Sequence, residues 1–264
     1  MKILFAGLLV FISMVTGMAS QVQANRVLYV APTRIVLEPG KQTDTMTIMN
    51  QSEKKRTYNI SLINSVMTEK GSSKRVDTFP YAAKRMLRYV PRSVELEPGQ
   101  RQTVRIMVRR PRDLEDGDYH SHILFRERPV KIDKPEQKEE GFSVHLGAQY
   151  GLAVPIIVQH GNVNSTVRVE GVDKEATTDK KLVVTFSREG NAEGQGFVRI
   201  YRKTPEGLVK LTNNKTLRMY REVDQVSRTF NVVDGEKFQG DVLIRMHKNK
   251  REDSPVLQEV AVSL

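Results

Sequence analysis

Along most of this chain, short segments with regularly spaced apolar residues alternate with polar turns. The segments are rich in β-branched and aromatic residues, and several have an apolar residue at every second position, as in Met46/Ile48 and Val104/Ile106/Val108. The predicted strands include VLYVAPTRIVL, TMTIMN, YNISLINSVM, TVRIMVRR, YHSHILFRER, FSVHLGAQYGLAVPIIV, TVRVEGV, KLVVTFSRE, GFVRIYRK, LRMYRE, SRTFNVV, DVLIRMHK and VLQEVAVSL. No segment shows an apolar helical stripe with caps. Short strands at this spacing predict an all-β chain built from sandwiches.

The motif LEPG occurs twice, at Leu37–Gly40 and at Leu96–Gly99, each time between two predicted strands. Proline suits the second position of a tight turn, and glycine accepts the positive φ of the third position, which predicts a type II turn. A phosphate-binding loop would need more glycines and a following helix. We therefore interpret the two copies as one local turn used twice, and not as duplicated domains.

A charged segment with two prolines, residues 129–141, predicts a long loop between two strands. The longest apolar strand signal follows it, from Phe142 to Val158, with an interruption at Pro155. Further strands begin after residue 160. We predict two sandwiches, the first over residues 25–155 and the second over 156–264.

The first 24 residues predict a cleaved secretion signal. Lys2 supplies a short positive region, an apolar run extends from Ile3 to Val15, and Val22-Gln23-Ala24 places small residues near a cleavage site. The competing interpretation is a membrane anchor, but the apolar run is shorter than the ~20 residues that a spanning helix needs. We expect an exported, soluble protein that begins at Asn25.

Composition narrows the functional classes. The chain has no cysteine, so its stability has to come from apolar cores in domains of about 100 residues or more. Thiol catalysis and cysteine metal sites are excluded for the same reason. A net charge of +11 is often a sign of nucleic-acid binding. The export signal argues against nucleic acid, and the alternation of charged with apolar residues favours solvated sheet faces over attraction to acidic partners or membranes.

The order of these motifs resembles a known family, the periplasmic chaperones of the chaperone–usher pathway, also called PapD-like pilus chaperones. The resemblance covers the mature chain and rests on TRIVL, VPRSVELEPGQRQTVRI, GDYHSHILFRE with its following polar loop, the long strand from Phe142, and a second β domain. Each motif alone is weak, whereas their order and spacing are specific. The resemblance implies two immunoglobulin-like domains in an L or boomerang arrangement, and a periplasmic chaperone that needs neither ATP nor another cofactor.

The resemblance also implies how such a chaperone binds its partner, a pilin or fimbrial subunit, before delivery to an outer-membrane usher. Subunits of the family lack their last strand, and the chaperone adds its own, here at about 142–154, to the open groove. The alternation predicts that one apolar row enters the groove. This row consists of Phe142, Val144, Leu146 and Ala148. The pattern alone predicts packing in this chain's own core, and the preceding loop and the family order favour donation. Self-association of the free chaperone is a further hypothesis, because an exposed apolar edge tends to aggregate.

A basic pair between the domains anchors the subunit's C-terminal carboxylate in this family, and its first arginine matches Arg34 of TRIVL. Arginine suits this role because its planar fork can donate two charge-assisted hydrogen bonds to a carboxylate. Without the resemblance, Arg34 would be interpreted as a surface arginine. The family's lysine in the donor strand has no counterpart in AQYGLAVP, so Arg88 or Arg92 is the candidate for the second anchor, and the chain represents a divergent branch.

Histidines offer the competing chemistry. His120 and His122 project from one face of a strand, and His145 lies on a predicted neighbouring strand, so the three could bind zinc. The pattern favours ordinary polar residues on an exposed face, and we predict no metal site. We also predict no catalytic residues, because Ser121 has neither an oriented base nor a nucleophile elbow. The alternative functions are an exported immunoglobulin-like adhesion or binding module without chaperone activity and, with less support, an enzyme.

Overall fold

A computed structural model describes residues 27–128, 150–251 and 253–264. These residues form eighteen β-strands, and no α-helix occurs among them. The described ranges accordingly contain no helix that is long and apolar enough to cross a membrane. The predicted signal, the predicted loop and the predicted donor row fall outside these ranges. The prediction of an all-β chain with two sandwiches is confirmed.

Ten strands form the first sandwich. They are β1 (Leu28–Ala31), β2 (Ile35–Leu37), β3 (Thr43–Asn50), β4 (Arg56–Met67), β5 (Ser73–Val76), β6 (Leu87–Val90), β7 (Ser93–Leu96), β8 (Arg101–Val108), β9 (Gly117–Glu127) and β10 (Gly151–His160). One sheet has the strand order β1-β3-β8-β6, and the other has the order β2-β10-β9-β4-β5 with β7 also paired to β4. Strands β2 and β10 pair in parallel.

The apolar positions that alternate in the sequence form the core of this sandwich. Met46 pairs with Val104 in the antiparallel β3–β8 ladder, and these two residues, like Ile48 and Ile106, are at most 1% exposed. Cross-strand apolar pairs of this kind stabilise a sheet through side-chain contact as well as burial. The period of two therefore marks the inward face correctly.

The two LEPG segments are tight turns with glycine at positive φ, 86° for Gly40 and 74° for Gly99. In both turns, the backbone N–H after the glycine donates to the glutamate carbonyl at 3.0 Å. Each turn links a strand of one sheet to a strand of the other, β2 to β3 and β7 to β8. The same type of turn therefore connects the two sheets of the first sandwich at two places.

Eight strands form the second sandwich. They are β11 (Ser165–Val172), β12 (Lys181–Gly190), β13 (Gly194–Thr204), β14 (Gly207–Lys210), β15 (Lys215–Met219), β16 (Gln225–Asn231), β17 (Asp241–His247) and β18 (Val256–Ser263). The sheets have the orders β11-β12-β16 and β14-β13-β17-β18, with β15 also paired to β13. This sandwich has its own core, in which the rings of Phe186 and Phe230 lie 6.2 Å apart.

The strands predicted from the sequence need corrections. The segment VLYVAPTRIVL forms two strands in different sheets, and Pro32 lies between them. Strands β5, β6 and β14 have no counterpart among the predicted strands. The interruption predicted at Pro155 is wrong, because this residue pairs with His122 within β10. The Tyr150 carbonyl accepts a hydrogen bond from the Glu127 N–H of β9. Backbone groups alternate in direction along a strand, so the nitrogen of Pro155, five residues later, faces away from β9. The missing N–H of this proline therefore removes no hydrogen bond from the β9–β10 ladder.

The ranges predicted for the two domains stay a prediction. The predicted boundary between residues 155 and 156 falls within β10, and Ile156 and Val158 belong to the first core. A boundary in residues 161–164, between β10 and β11, fits these strands better.

Candidate functional site

The polar residues of β9 are buried against the second sandwich. His120 is 2% exposed, His122 is 9% exposed and Asp118 is 3% exposed. The interpretation of the two histidines as residues of an exposed face is therefore wrong. Alternation places both rings on one face of β9, as expected, but side chains of the second sandwich cover that face.

His120 is held between an aromatic ring and a carboxylate of the second sandwich. Its ring stacks on Tyr220 with centroids 4.2 Å apart, and its Nε2 lies 3.0 Å from Glu222 Oε2. Burial raises the pKa of Glu222, but hydrogen bonds from His120 and the Met67 backbone, together with the His120 charge, outweigh it and leave the pKa lowered. Burial lowers the pKa of His122 to about 4, and neighbouring His120 adds to this effect. His122 is therefore neutral at ordinary pH.

Arg34 forms an ion pair across the two sandwiches. It directly precedes β2, and its Nη2 contacts Oε2 of Glu193, which lies between β12 and β13. The other carboxylate oxygen, Oε1, lies 3.2 Å from Nε of Arg218 on β15. The Glu193 side chain is 6% exposed and that of Arg34 is 21% exposed. The structure thus brings Arg34 to a carboxylate that two arginines share.

Asp118 adds a second carboxylate to this region. Its Oδ2 accepts a hydrogen bond of 2.8 Å from the Glu193 backbone N–H. Burial raises the pKa of both Asp118 and Glu193, and the positive charge of Arg34 opposes the rise in each case. We call the whole group the inter-sandwich cluster; its members are Arg34, Asp118, His120, His122, Glu193, Arg218, Tyr220 and Glu222.

The backbone at Gly117 permits this close contact. Its φ is +138°, and a Cβ atom there would lie 2.5 Å from the Asn191 carbonyl oxygen of the second sandwich. The next residue, Asp118, donates its backbone N–H to the same carbonyl at 2.9 Å. Glycine is required here both for the backbone conformation and for space.

A second set of contacts lies at the turn between β4 and β5. The Met67 backbone N–H donates to Glu222 Oε1 at 2.8 Å, and the Ser227 N–H donates to the Glu69 carbonyl at 2.9 Å. Arg228 Nη1 donates to the Gly71 carbonyl at 2.5 Å. Both strand β9 and the turn between β4 and β5 are therefore hydrogen-bonded to the second sandwich.

The other two predicted anchor residues lie elsewhere. Arg88 is on β6, at the edge of the sheet that does not contain β2, and it donates to the carbonyls of Arg85 and Leu87. Arg92 lies over the Tyr89 ring at 4.0 Å. Neither has a contact with Arg34 within the described part of the chain, and their role as second anchor stays a prediction.

Sequence reasoning missed the partners of Arg34 and the histidines. Glu193, Arg218, Tyr220 and Glu222 come from turns and strand ends far along the chain, and no motif marks them. The sequence carried one signal, the run GDYHSH, in which polar residues occupy one face of a strand whose other face is mostly apolar further along.

The competing chemistries have little support from the described residues. Ser121 is fully buried on the opposite face of β9, where its hydroxyl donates to Asn64 Oδ1 at 2.8 Å. Its burial and orientation do not suit a nucleophile. Within the described ranges, no three His, Cys, Asp or Glu side chains form a group that could hold a metal. His145 lies outside those ranges.

One further feature is the free edge at the start of β10. Residues 151–160 pair with β9 over their whole length, whereas β2 pairs only with Ile156–Val158. Among described residues, the stretch from Gly151 to Val154 has no strand on its other edge. Tyr150 is 56% exposed and Leu152 is 38% exposed, while Val154 is 2% exposed. The predicted donor residues Phe142, Val144, Leu146 and Ala148 directly precede this edge but lie outside the described residues.

Comparison with known proteins gives structural similarities only. No protein-family model matches the chain, and no curated protein matches it. Similar solved structures include the YadV chaperone, with 8% identity, coverage of 90% of this chain and 100% of that one, and a TM-score of 0.49. The class 5 fimbriae chaperone CfaA has 16% identity, coverage of 89% and 97%, and a TM-score of 0.46. The E. coli chaperone DraB has 11% identity, coverage of 90% and 98%, and a TM-score of 0.44.

These similar structures are named as chaperones. Identities of this size and TM-scores below 0.5 are too low to transfer a function. Any functional conclusion therefore has to come from the residues of this chain.

Proposed function

We propose that this protein is a periplasmic chaperone that binds pilus or fimbrial subunits by donating a strand and delivers them to an outer-membrane usher. The similar solved structures are named as chaperones, one of them a chaperone of class 5 fimbriae, which agrees with this function. The observation that carries the proposal is the free, partly apolar edge at the start of β10.

The free edge supports strand donation for a physical reason. Odd-numbered residues of β10 direct their backbone groups away from β9, so Gly151 and Ala153 present N–H and C=O groups without a strand partner in the described chain. Exposed backbone groups next to exposed apolar side chains favour pairing with another strand. A partner sheet that lacks a strand would satisfy these groups and would bury Leu152.

Arg34 supports the second part of the proposal, the binding of a C-terminal carboxylate. Its guanidinium already contacts a buried carboxylate, that of Glu193. An arginine in such a place can donate charge-assisted hydrogen bonds to the end of a bound subunit. Cleavage of residues 1–24 during export and action without ATP belong to the same proposal.

The proposal can be tested on the donor row. Leu146→Asp should leave the protein folded and abolish subunit capture, because a charge cannot enter an apolar groove without a large desolvation cost. The measurement is affinity purification of the tagged protein from its native periplasm, with the associated proteins identified by mass spectrometry. A small β subunit in stoichiometric amount is expected with the wild type.

Ser143→Asp is the matched control, since it places the same charge on the other predicted face of the strand. It should retain capture. Normal capture by folded Leu146→Asp would rule out the donor assignment. A wild-type protein that copurifies with no subunit, but shows enzymatic turnover or bound metal, would overturn the proposed function.

A further inference from the structure

Two arginines from different sandwiches approach one carboxylate in the inter-sandwich cluster. Arg34 of the first sandwich contacts Glu193 Oε2, and Arg218 of the second lies with its Nε 3.2 Å from Glu193 Oε1. A carboxylate between two arginines is a geometry that proteins use to bind acidic groups, because each guanidinium supplies several donors. Here the carboxylate belongs to the chain itself.

The contact with Arg218 is incomplete. Arg218 Nε is buried and has no hydrogen-bond partner among the described residues, although Glu193 Oε1 lies within ion-pair distance. A buried donor without an acceptor is unfavourable. The Arg218 side chain as a whole is 39% exposed, so the region is accessible from solvent. Glu193 therefore satisfies Arg34 but leaves a donor of Arg218 unused.

We propose that Arg34 and Arg218 together form a carboxylate-binding site, and that Glu193 occupies it until the C-terminal carboxylate of a subunit displaces it. Arg218 is then the second basic anchor that the donor strand does not supply. This inference rests on the proposed chaperone function. It assigns Glu193 the role of an internal competitor whose removal should strengthen binding.

Exchange of carboxylates is physically reasonable here. Replacing one carboxylate by another leaves the net charge between the arginines unchanged, so no unpaired charge is buried at the end of the exchange. Glu193 lies in the short turn between β12 and β13. The backbone of Glu193 is restrained by its hydrogen bond to Asp118 Oδ2, whereas the C-terminus of a bound peptide has no such restraint on where its carboxylate lies.

The site can be tested without a natural subunit. The probes are the peptide acetyl-Val-Thr-Tyr with a free C-terminal carboxylate and the same peptide as a C-terminal amide. Binding to the mature chain is followed by NMR, using the arginine side-chain N–H signals. We expect Glu193→Ala to bind the acid peptide at least about tenfold more tightly than the wild type, and neither protein to bind the amide.

Double variants identify the arginines. Arg34→Ala and Arg218→Ala, each combined with Glu193→Ala, should lose this binding. Glu127→Ala is the matched control, because Glu127 is a similarly buried carboxylate that pairs with Arg56 within the first sandwich. It should bind the acid peptide no better than the wild type.

Other results would overturn the inference. Equal binding by wild type and Glu193→Ala, or binding that survives the loss of Arg218, would show that the contacts with Glu193 are only structural. Thermal unfolding checks that each variant is folded, and Glu193→Gln, which keeps the side-chain size, replaces Glu193→Ala if the latter does not fold.

The inference and the proposed function fail differently. Peptide binding through both arginines by a protein that captures no subunit would support the carboxylate site and contradict the chaperone function. Subunit capture that is unchanged in Arg218→Ala would support the chaperone function and contradict the site.

Discussion

Strand β9 has two buried faces that differ completely in chemistry. On one face, Tyr119, Ile123 and Phe125 enter the apolar core of the first sandwich. On the other, His120 and His122 are also buried, but they meet Tyr220 and Glu222 of the second sandwich. Side chains that alternate along this one strand therefore lie in two places, the core of the first sandwich and the interface between the two sandwiches. An apolar face needs only shape and volume, whereas a polar buried face needs specific partners for each group.

The apolar face should be the more sensitive to truncation. Phe125→Ala removes a fully buried ring and is expected to lower the free energy of unfolding by about 3–5 kcal/mol. Urea unfolding monitored by circular dichroism measures the change. Arg126→Ala, the exposed neighbour, should change stability by less than about 0.5 kcal/mol. A loss below about 1 kcal/mol for Phe125→Ala would contradict the packing described for this face.

The polar face should respond to pH. His122 stays neutral in the folded protein down to about pH 4, whereas the unfolded chain takes up the proton near the ordinary histidine pKa of 6.5. Protons therefore favour the unfolded chain in this range, and His122 should remove about 3 kcal/mol of stability as the pH falls from about 7 to about 4. Burial raises the pKa of Asp118 and of Glu193, and these shifts act in the opposite direction at acid pH.

His122→Gln isolates the histidine from those carboxyl groups. The free energy of unfolding of this variant should fall less steeply than that of the wild type between about pH 7 and about pH 4, as measured by urea titrations at each pH. Parallel pH profiles of the two proteins would mean that His122 is not held neutral by burial.

A smaller effect is expected from the acceptor on the other side of the interface. Glu222→Ala leaves the Met67 N–H and the His120 ring without their acceptor, and should lower stability by about 2 kcal/mol. Glu259→Ala, which removes the half-exposed partner of Arg245, should cost about 0–1 kcal/mol. Thermal and urea unfolding of both variants gives the comparison, and equal losses would show that burial at the interface adds nothing.

Much of the first sandwich could be predicted because its determinants are local. The period-two rows at Met46/Ile48 and Val104/Ile106 and the Pro-Gly turns follow from backbone geometry within a few residues. The sequence could not predict that VLYVAPTRIVL divides into β1 and β2. The two halves pair with strands of different sheets, and only this long-range pairing separates them. The prediction at Pro155 is wrong because the side of the strand that its nitrogen faces depends on the register with β9.

The candidate site could be predicted only in part. The family resemblance selects Arg34, and this residue does lie at a buried carboxylate. Its role as an anchor, like the roles of Arg88, Arg92 and the donor row, stays a prediction. The partners Glu193 and Arg218 could not be predicted from the sequence, because no local motif distinguishes them from the many other charged residues of the chain.

The sequence by itself determined the strand class, the alternation of inward and outward residues, and the two turns that join the layers. Those properties depend on side-chain period and on the φ preferences of Pro and Gly, which act within a few residues. Only the tertiary structure decided that the outward histidines of β9 are buried, that Arg34 shares a carboxylate with Arg218, and that β10 begins with a free edge among the described residues. These features depend on which distant segments meet, and contacts between distant segments leave no period in a single chain.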